Sequence, residues 1–156
     1  MHMAAKRKIW TLEEVHSLPE DGNKYELVRG ELSVTPPPTY DHETFLARLS
    51  RLLEPYVAAN GLGLVYHPRS VVRFEGSETE PDLMVRPPHP RSLASWDAAP
   101  APTLLVEVVS ASTRRRDHEQ KKSYYMDAGV GTYWIVDGER RTVTIVRRGQ
   151  PDRVER

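Results

Sequence analysis

A mixed α/β fold, a sheet holding both parallel and antiparallel strands with helices packed against it, is what this sequence predicts. Two kinds of segment carry that prediction. Residues 104–109 form an apolar run of strand length, and Phe45, Leu46, Leu49, Leu52, Leu53, Tyr56 and Val57 recur at spacings of three and four. Their order along the chain is helix, strands, helix, strands, which suits one layered unit. With 156 residues there is enough chain for one domain with its own core, so a single domain over 1–156 is expected, with flexible ends at 1–10 and 149–156. There is no cysteine, which excludes disulfides, thiolate zinc sites and a cysteine nucleophile.

Taken in order, Thr11 and Glu14 have capping-box spacing and predict a short helix from about Leu12 to Ser17, stopped before Pro19. Residues 24–36 alternate imperfectly about Arg29-Gly30, as two short strands or a bulged hairpin would. Together these make an N-terminal helix-hairpin extension. The amphipathic helix then starts near His42 with Asp41 as its N-cap, and Pro55 falls where it can kink the last turn. Residues 61–74 read as strand material broken at Pro68, and residues 81–86 as a short strand. Residues 87–102 hold five prolines in 16 positions and read as a long loop.

The run at 104–109 has no wet face, so its strand should be buried on both sides. A second helix is expected from about Arg114 to Ala128, ending at Gly129. Residues 132–137 and 142–148 then suggest a hairpin turning at Gly138-Glu139.

Within this pattern charged side chains stand at three places where charges are costly. Glu107 shares a strand face with Leu105 and Val109. Either it reaches solvent at the strand end, or a positive group compensates it. Asp82 opens the strand at 81–86 on the face of Met84; Asp after Pro is also a common turn pair. Lys121 and Asp117 lie on the helical stripe of Tyr124, Tyr125 and Ala128, so Lys121 points toward the sheet unless the two make an exposed i,i+4 pair. Two carboxylates on neighbouring strands and one inward lysine suit a hard divalent cation such as Mg²⁺, which takes one or two carboxylates plus waters. That is phosphodiester hydrolysis chemistry. The six histidines show no paired ligand spacing.

The ordered set formed by residues 25–32, His42 at a helix start, residues 81–85, residues 104–130 and residues 133–137 resembles the Uma2-like endonucleases of the PD-(D/E)XK, restriction-endonuclease-like superfamily. The resemblance covers about residues 11–147. It implies a restriction-endonuclease-like fold, Mg²⁺-dependent (or Mn²⁺-dependent) cleavage of DNA, and a homodimer. Carried over by position, Asp82 matches the acid of the "PD" element and Glu107 the acid of the "(D/E)XK" element. That element's lysine is absent, and Lys121 on the following helix looks like its migrated counterpart. The main-chain carbonyl of Val108 is implied as a further metal ligand. Glu26 matches an acidic position near the site, or is a surface glutamate at a strand edge. One departure is local: the family commonly has Pro-Glu before the Tyr-Trp pair, where this chain has Gly131-Thr132.

Formal net charge is zero, but residues 1–111 carry 11 basic and 15 acidic side chains and residues 112–156 carry 11 and 7. The basic part includes Arg114, Arg115 and Arg116 at a helix start, which read either as a solvated basic turn or as a phosphate-binding cluster. No apolar stretch has the length of a membrane span, and a cytoplasmic protein is expected. Beside the endonuclease reading stand a non-catalytic nucleic-acid-binding or assembly module with the same fold, and a two-carboxylate glycosidase that needs no metal.

Overall fold

In a computed structural model of the chain, residues 7–90 and 95–156 are described. The N-terminal segment is α1 (Leu12–His16) followed by the strands β1 (Lys24–Val28) and β2 (Glu31–Thr35). Thr11 and Glu14 cap α1 reciprocally, as their spacing predicts. The hairpin turns through Arg29 and Gly30, at φ 50° and 81°. Such a two-residue turn with both φ positive matches strand twist, and glycine takes it without strain.

α2 runs Tyr40–Ala59, two residues earlier than expected, because Thr39 is its N-cap and accepts from the His42 N–H at 3.3 Å. Asp41 lies inside the first turn, where an acidic side chain suits the helix dipole. The helix continues four residues past Pro55.

The strand material around Pro68 divides between two sheets. β3 (Leu64–Tyr66) pairs with β6 (Leu83–Arg86), while β4 (Val72–Phe74) pairs with β5 (Ser77–Thr79). β5 was not expected, since three residues reading Ser-Glu-Thr carry no apolar alternation. β7 (Leu104–Val109), β8 (Thr132–Asp137) and β9 (Thr142–Val146) follow as predicted. The C-terminal end, expected to be flexible, instead holds β10 (Arg153–Glu155), antiparallel on β9, its side chains all exposed. Of the N-terminal end expected to be flexible, residues 1–6 lie outside the described residues, and the Trp10 N–H donates to Gly30 O at 2.9 Å. The described residues of the proline-rich loop hold no helix or strand.

Two sheets result. One has the order β2-β1-β5-β4 and the other β10-β9-β8-β7-β6-β3. The six-stranded sheet is mixed, with β7 and β8 parallel and its other pairs antiparallel. Alternation along its strands divides the core in two. Leu83, Val106 and Val136 face α2, packing with Leu46. Met84, Leu105, Val109, Tyr133 and Ile135 pack on the opposite face with Val28, Val72, Tyr124 and Tyr125. The N-terminal hairpin is therefore no mere extension, because it builds the sheet that closes this second core.

The second long helix starts where expected but is not uniform. α3 (Arg114–Arg116) passes into a π-helical turn, Asp117–Lys121, and then into α4 (Lys122–Asp127). Such turns gather at functional sites. The carbonyl of Asp117 accepts from the Tyr133 hydroxyl at 3.3 Å.

At the family departure, the Gly131 N–H donates to Pro102 O at 3.0 Å, a bond a proline would forfeit, and a Cβ there would stand 2.8 Å from Thr103 O. Gly131→Ala is expected to cost about 1–3 kcal/mol by overpacking. Gly138→Ala, with nothing within 4 Å of its added methyl, should stay within about 0.5 kcal/mol of the parent. Urea denaturation midpoints of the two variants check this.

Candidate functional site

Glu107 and Asp82 meet because of strand register. Leu83 faces Val106 and Met84 faces Leu105, so continuing the ladder by one residue sets Asp82 opposite Glu107 on the same face. Both are buried. The Val108 N–H points to this edge of β7 and donates to Asp82 Oδ2 at 2.7 Å. In an antiparallel ladder the N–H and carbonyl of one residue point the same way, so the Val108 carbonyl also faces the edge where β6 ends. The residue that would face it on the continued register is Pro81, which has no N–H to give. The Pro-Asp pair thus removes a ladder donor and inserts a carboxylate beside the carbonyl left free.

Lys121 reaches this place from the π-helical turn and is 1% exposed. Its Nζ lies 2.8 Å from Glu107 Oε1, 3.0 and 2.9 Å from the two oxygens of Glu26, and 3.4 Å from Asp117 Oδ1. An ammonium has three hydrogens, and here three carboxylates surround it. The inward reading of the helical stripe therefore holds, and so does the buried reading of Glu107. Glu26, on β1, is fully buried rather than a surface residue, and also accepts from the Glu80 N–H at 3.0 Å. The hydroxyl of Tyr125 donates to Glu107 Oε1 at 2.8 Å.

Sequence reasoning missed two members. His42 was read only as a helix opener. As the third residue of α2 its Nε2 lies 3.2 Å from Asp82 Oδ2, and its helix position was the available signal. Lys24 is the second. It sits two residues before Glu26, hence on the same strand face, with Nζ 3.7 Å from Asp82 Oδ1 and 3.9 Å from Glu26 Oε1.

The arginine triplet divides. Arg114 binds Asp137 (2.6 Å) and Glu139 (2.9 Å), which resolves the conflict of a cation at a helix start by a salt bridge. Arg115 pairs with Glu119 at 3.1 Å in solvent. Arg116 turns to the site, with Nη2 3.9 Å from Glu26 Oε2 and 3.3 Å from Thr35 Oγ1.

The electrostatics follow from burial against pairing. Burial pushes the Glu107 carboxyl up to about 7, and Asp82 and Glu26 push the same way against Lys121 and Lys24. For Glu26 burial is outweighed by Lys121, Lys24 and Arg116, which hold its carboxyl below the ordinary range. Burial of Asp82 is likewise outweighed, by the His42 hydrogen bond, Lys24 and the Val108 N–H. Burial would lower the Lys121 ammonium, but Glu107, Glu26 and Asp117 hold it well above its usual value. The hydrogen bond to Asp82 raises His42.

Two oxygens remain for a ligand. Among the described residues Asp82 Oδ1 and Glu107 Oε2 make no hydrogen bond. No three His, Cys, Asp or Glu side chains among the described residues converge as a metal cage. A hard cation bound by two carboxylates, a carbonyl and waters does not require one, and an under-compensated buried carboxylate suits it, so the donor set fits Mg²⁺.

Comparison with known proteins agrees on the fold. The Uma2 family profile, described as "Putative restriction endonuclease", matches residues 12–156. The solved structure of a "putative nuclease belonging to DUF820" from Anabaena variabilis superposes with a TM-score of 0.76 at 19% identity, covering 93% of this chain and 83% of that one. No curated protein matches the chain. Among the described residues no helix is long and apolar enough to cross a membrane.

Glu107 binds its proton more tightly folded (about 7) than unfolded (4.5), so its stabilising contribution is complete below pH 4.5 and lost as pH rises through about 7. The loss should be roughly 3 kcal/mol, and Glu107→Gln should flatten that part of the stability profile measured by urea denaturation in chelator. Lys121→Met strands three buried carboxylates and should cost about 3–5 kcal/mol at pH 8 by the same measurement, less at pH 5, where Glu107 takes up its proton.

Proposed function

The chain belongs to the Uma2 family of restriction-endonuclease type, and on that premise we propose that it is a metal-dependent endonuclease hydrolysing DNA phosphodiester bonds through Asp82, Glu107 and Lys121. The observation that carries the reading is the pairing of Asp82 with Glu107 across β6 and β7, each with one oxygen uncommitted, next to a buried ammonium.

Asp82, Glu107 and the Val108 carbonyl are the groups that would hold Mg²⁺ or Mn²⁺. A bound ion of this kind supplies polarisation of a phosphoryl oxygen and a lowered pKa for a coordinated water. The protein's own part is positional. Val108 N–H and His42 hold Asp82 Oδ2, which leaves Oδ1 for the ion. Tyr125 and Lys121 hold Glu107 Oε1 and leave Oε2. Lys121 remains a cation at any working pH, so it adds positive charge next to the reacting phosphate without a change of protonation. Glu26 and Asp117 keep that ammonium in place. Of the three arginines at the helix start, Arg116 is the one turned toward an incoming backbone; Arg114 and Arg115 are engaged with carboxylates.

The test is cleavage of plasmid or oligonucleotide DNA with Mg²⁺ or Mn²⁺. Activity should vanish in chelator, and Asp82→Asn and Glu107→Gln should each lower the rate by at least about a hundredfold, as expected when several kcal/mol of charge stabilisation are removed. Cleavage surviving either substitution would refute the assigned site, and DNA binding without cleavage under every metal would favour the non-catalytic module.

A further inference from the structure

The position of Lys121 raises a question about substrate. A lysine that is 1% exposed and ringed by Glu26, Glu107 and Asp117 offers no open face to a phosphate arriving from solvent. Yet a DNA backbone approaching four carboxylates (Glu26, Asp82, Glu107 and Asp117) needs positive charge at the surface it meets. Two side chains are placed to provide it. Lys24 and Arg116 come from different elements, β1 and α3, and each stands 3.9 Å from a different oxygen of Glu26, Oε1 and Oε2 respectively. Their side chains are 22% and 21% exposed, so neither cation is sealed in as Lys121 is.

Both keep donors in reserve. Among the described residues Lys24 Nζ donates once within hydrogen-bond distance, to Glu80 O at 3.1 Å, while its carboxylate neighbours are at 3.7 and 3.9 Å, attractive but not bonded. Arg116 makes one side-chain hydrogen bond among the described residues, a 3.3 Å contact from Nη2 to Thr35 Oγ1, so its reserve lies at the terminal nitrogens, its Nε being buried. A guanidinium and an ammonium held apart by one shared counter-ion present a phosphate with a fork on one side and a point charge on the other.

Resting on the nuclease reading above, we propose that Lys24 and Arg116 form a phosphate clamp at the mouth of the site, gripping non-bridging oxygens of the DNA backbone. Glu26 is the positioning residue that holds both cations over the carboxylates. Lys121 belongs to the interior and does not touch substrate. The clamp explains why Glu26 is buried with cations on three sides, an arrangement that Lys121 alone does not require.

The experiment measures binding of a labelled duplex oligonucleotide to the full chain by fluorescence anisotropy over a salt series. Ca²⁺ replaces Mg²⁺, and the duplex is checked for integrity on a gel. Lys24→Met and Arg116→Met should each weaken binding several-fold and lower the slope of log Kd against log salt by about 0.9, the share of one phosphate contact. Lys24→Arg should restore the slope. Arg153→Met, on β10 at the far edge of the six-stranded sheet, should leave it unchanged. A thermal melt of each variant verifies folding, and a merely structural role for either cation would move the melt and not the slope. If both variants keep the parental slope while the parent cleaves DNA with Mg²⁺, the clamp is wrong and the nuclease reading stands. If the parent neither binds duplex nor cleaves it with any metal, both fall together.

Discussion

A single buried ammonium organises this protein. Lys121 ties Glu26 of the four-stranded sheet to Glu107 of the six-stranded sheet, and Asp117 of its own turn joins them. Removing four charged groups from water costs several kcal/mol each, and only close mutual pairing offsets that cost. The arrangement therefore tolerates little displacement of any partner. The relative placement of two sheets and a helix is bound to one nitrogen atom, so local geometry at the site and global packing become the same constraint. Tyr124, Tyr125 and Tyr133 pack around this knot, and two of their hydroxyls bond to its members, one to the Glu107 carboxylate and one to the Asp117 carbonyl.

Around the knot, charge is graded by depth. Carboxylates are buried and hold cations, while Lys24, His42 and Arg116 form a partly exposed rim, each about one-fifth accessible. This order suits a site that must hold a small hard cation inside and admit a polyanion from outside. A formal net charge of zero conceals it, because the acids and bases are separated radially as well as along the chain. Burial outweighs the pairing at Glu107 and raises its carboxyl to about 7, so a further positive charge beside it would be favourable.

The arginine triplet shows how far a charge run can be read before folding. Three consecutive basic side chains on a helix point in three directions, about 100° apart, and so meet three environments. Arg114 became a structural partner of Asp137, Arg115 a solvent-exposed i,i+4 pair, and Arg116 a neighbour of the site. A composition argument treats them as one patch; the helix separates them.

What the sequence determined by itself were the features that depend on neighbours in the chain. The α1 capping box, the Leu46, Leu49, Leu53 and Val57 part of the α2 stripe (Phe45, Leu52 and Tyr56 of that stripe are exposed), the doubly buried β7 and the inward stripe from Asp117 to Tyr125 all follow from short-range periodicity, and with them the association of Glu107, Asp82 and Lys121. Tertiary structure alone decided where His42 and Lys24 point, that Glu26 is buried, that residues 61–74 serve two sheets, and that residues 153–155 add an edge strand. The physical reason is separation along the chain. Lys121 and Glu26 are 95 residues apart and His42 and Asp82 are 40, so no periodicity links them. Their meeting depends on register and sheet closure, which exist once the chain has folded.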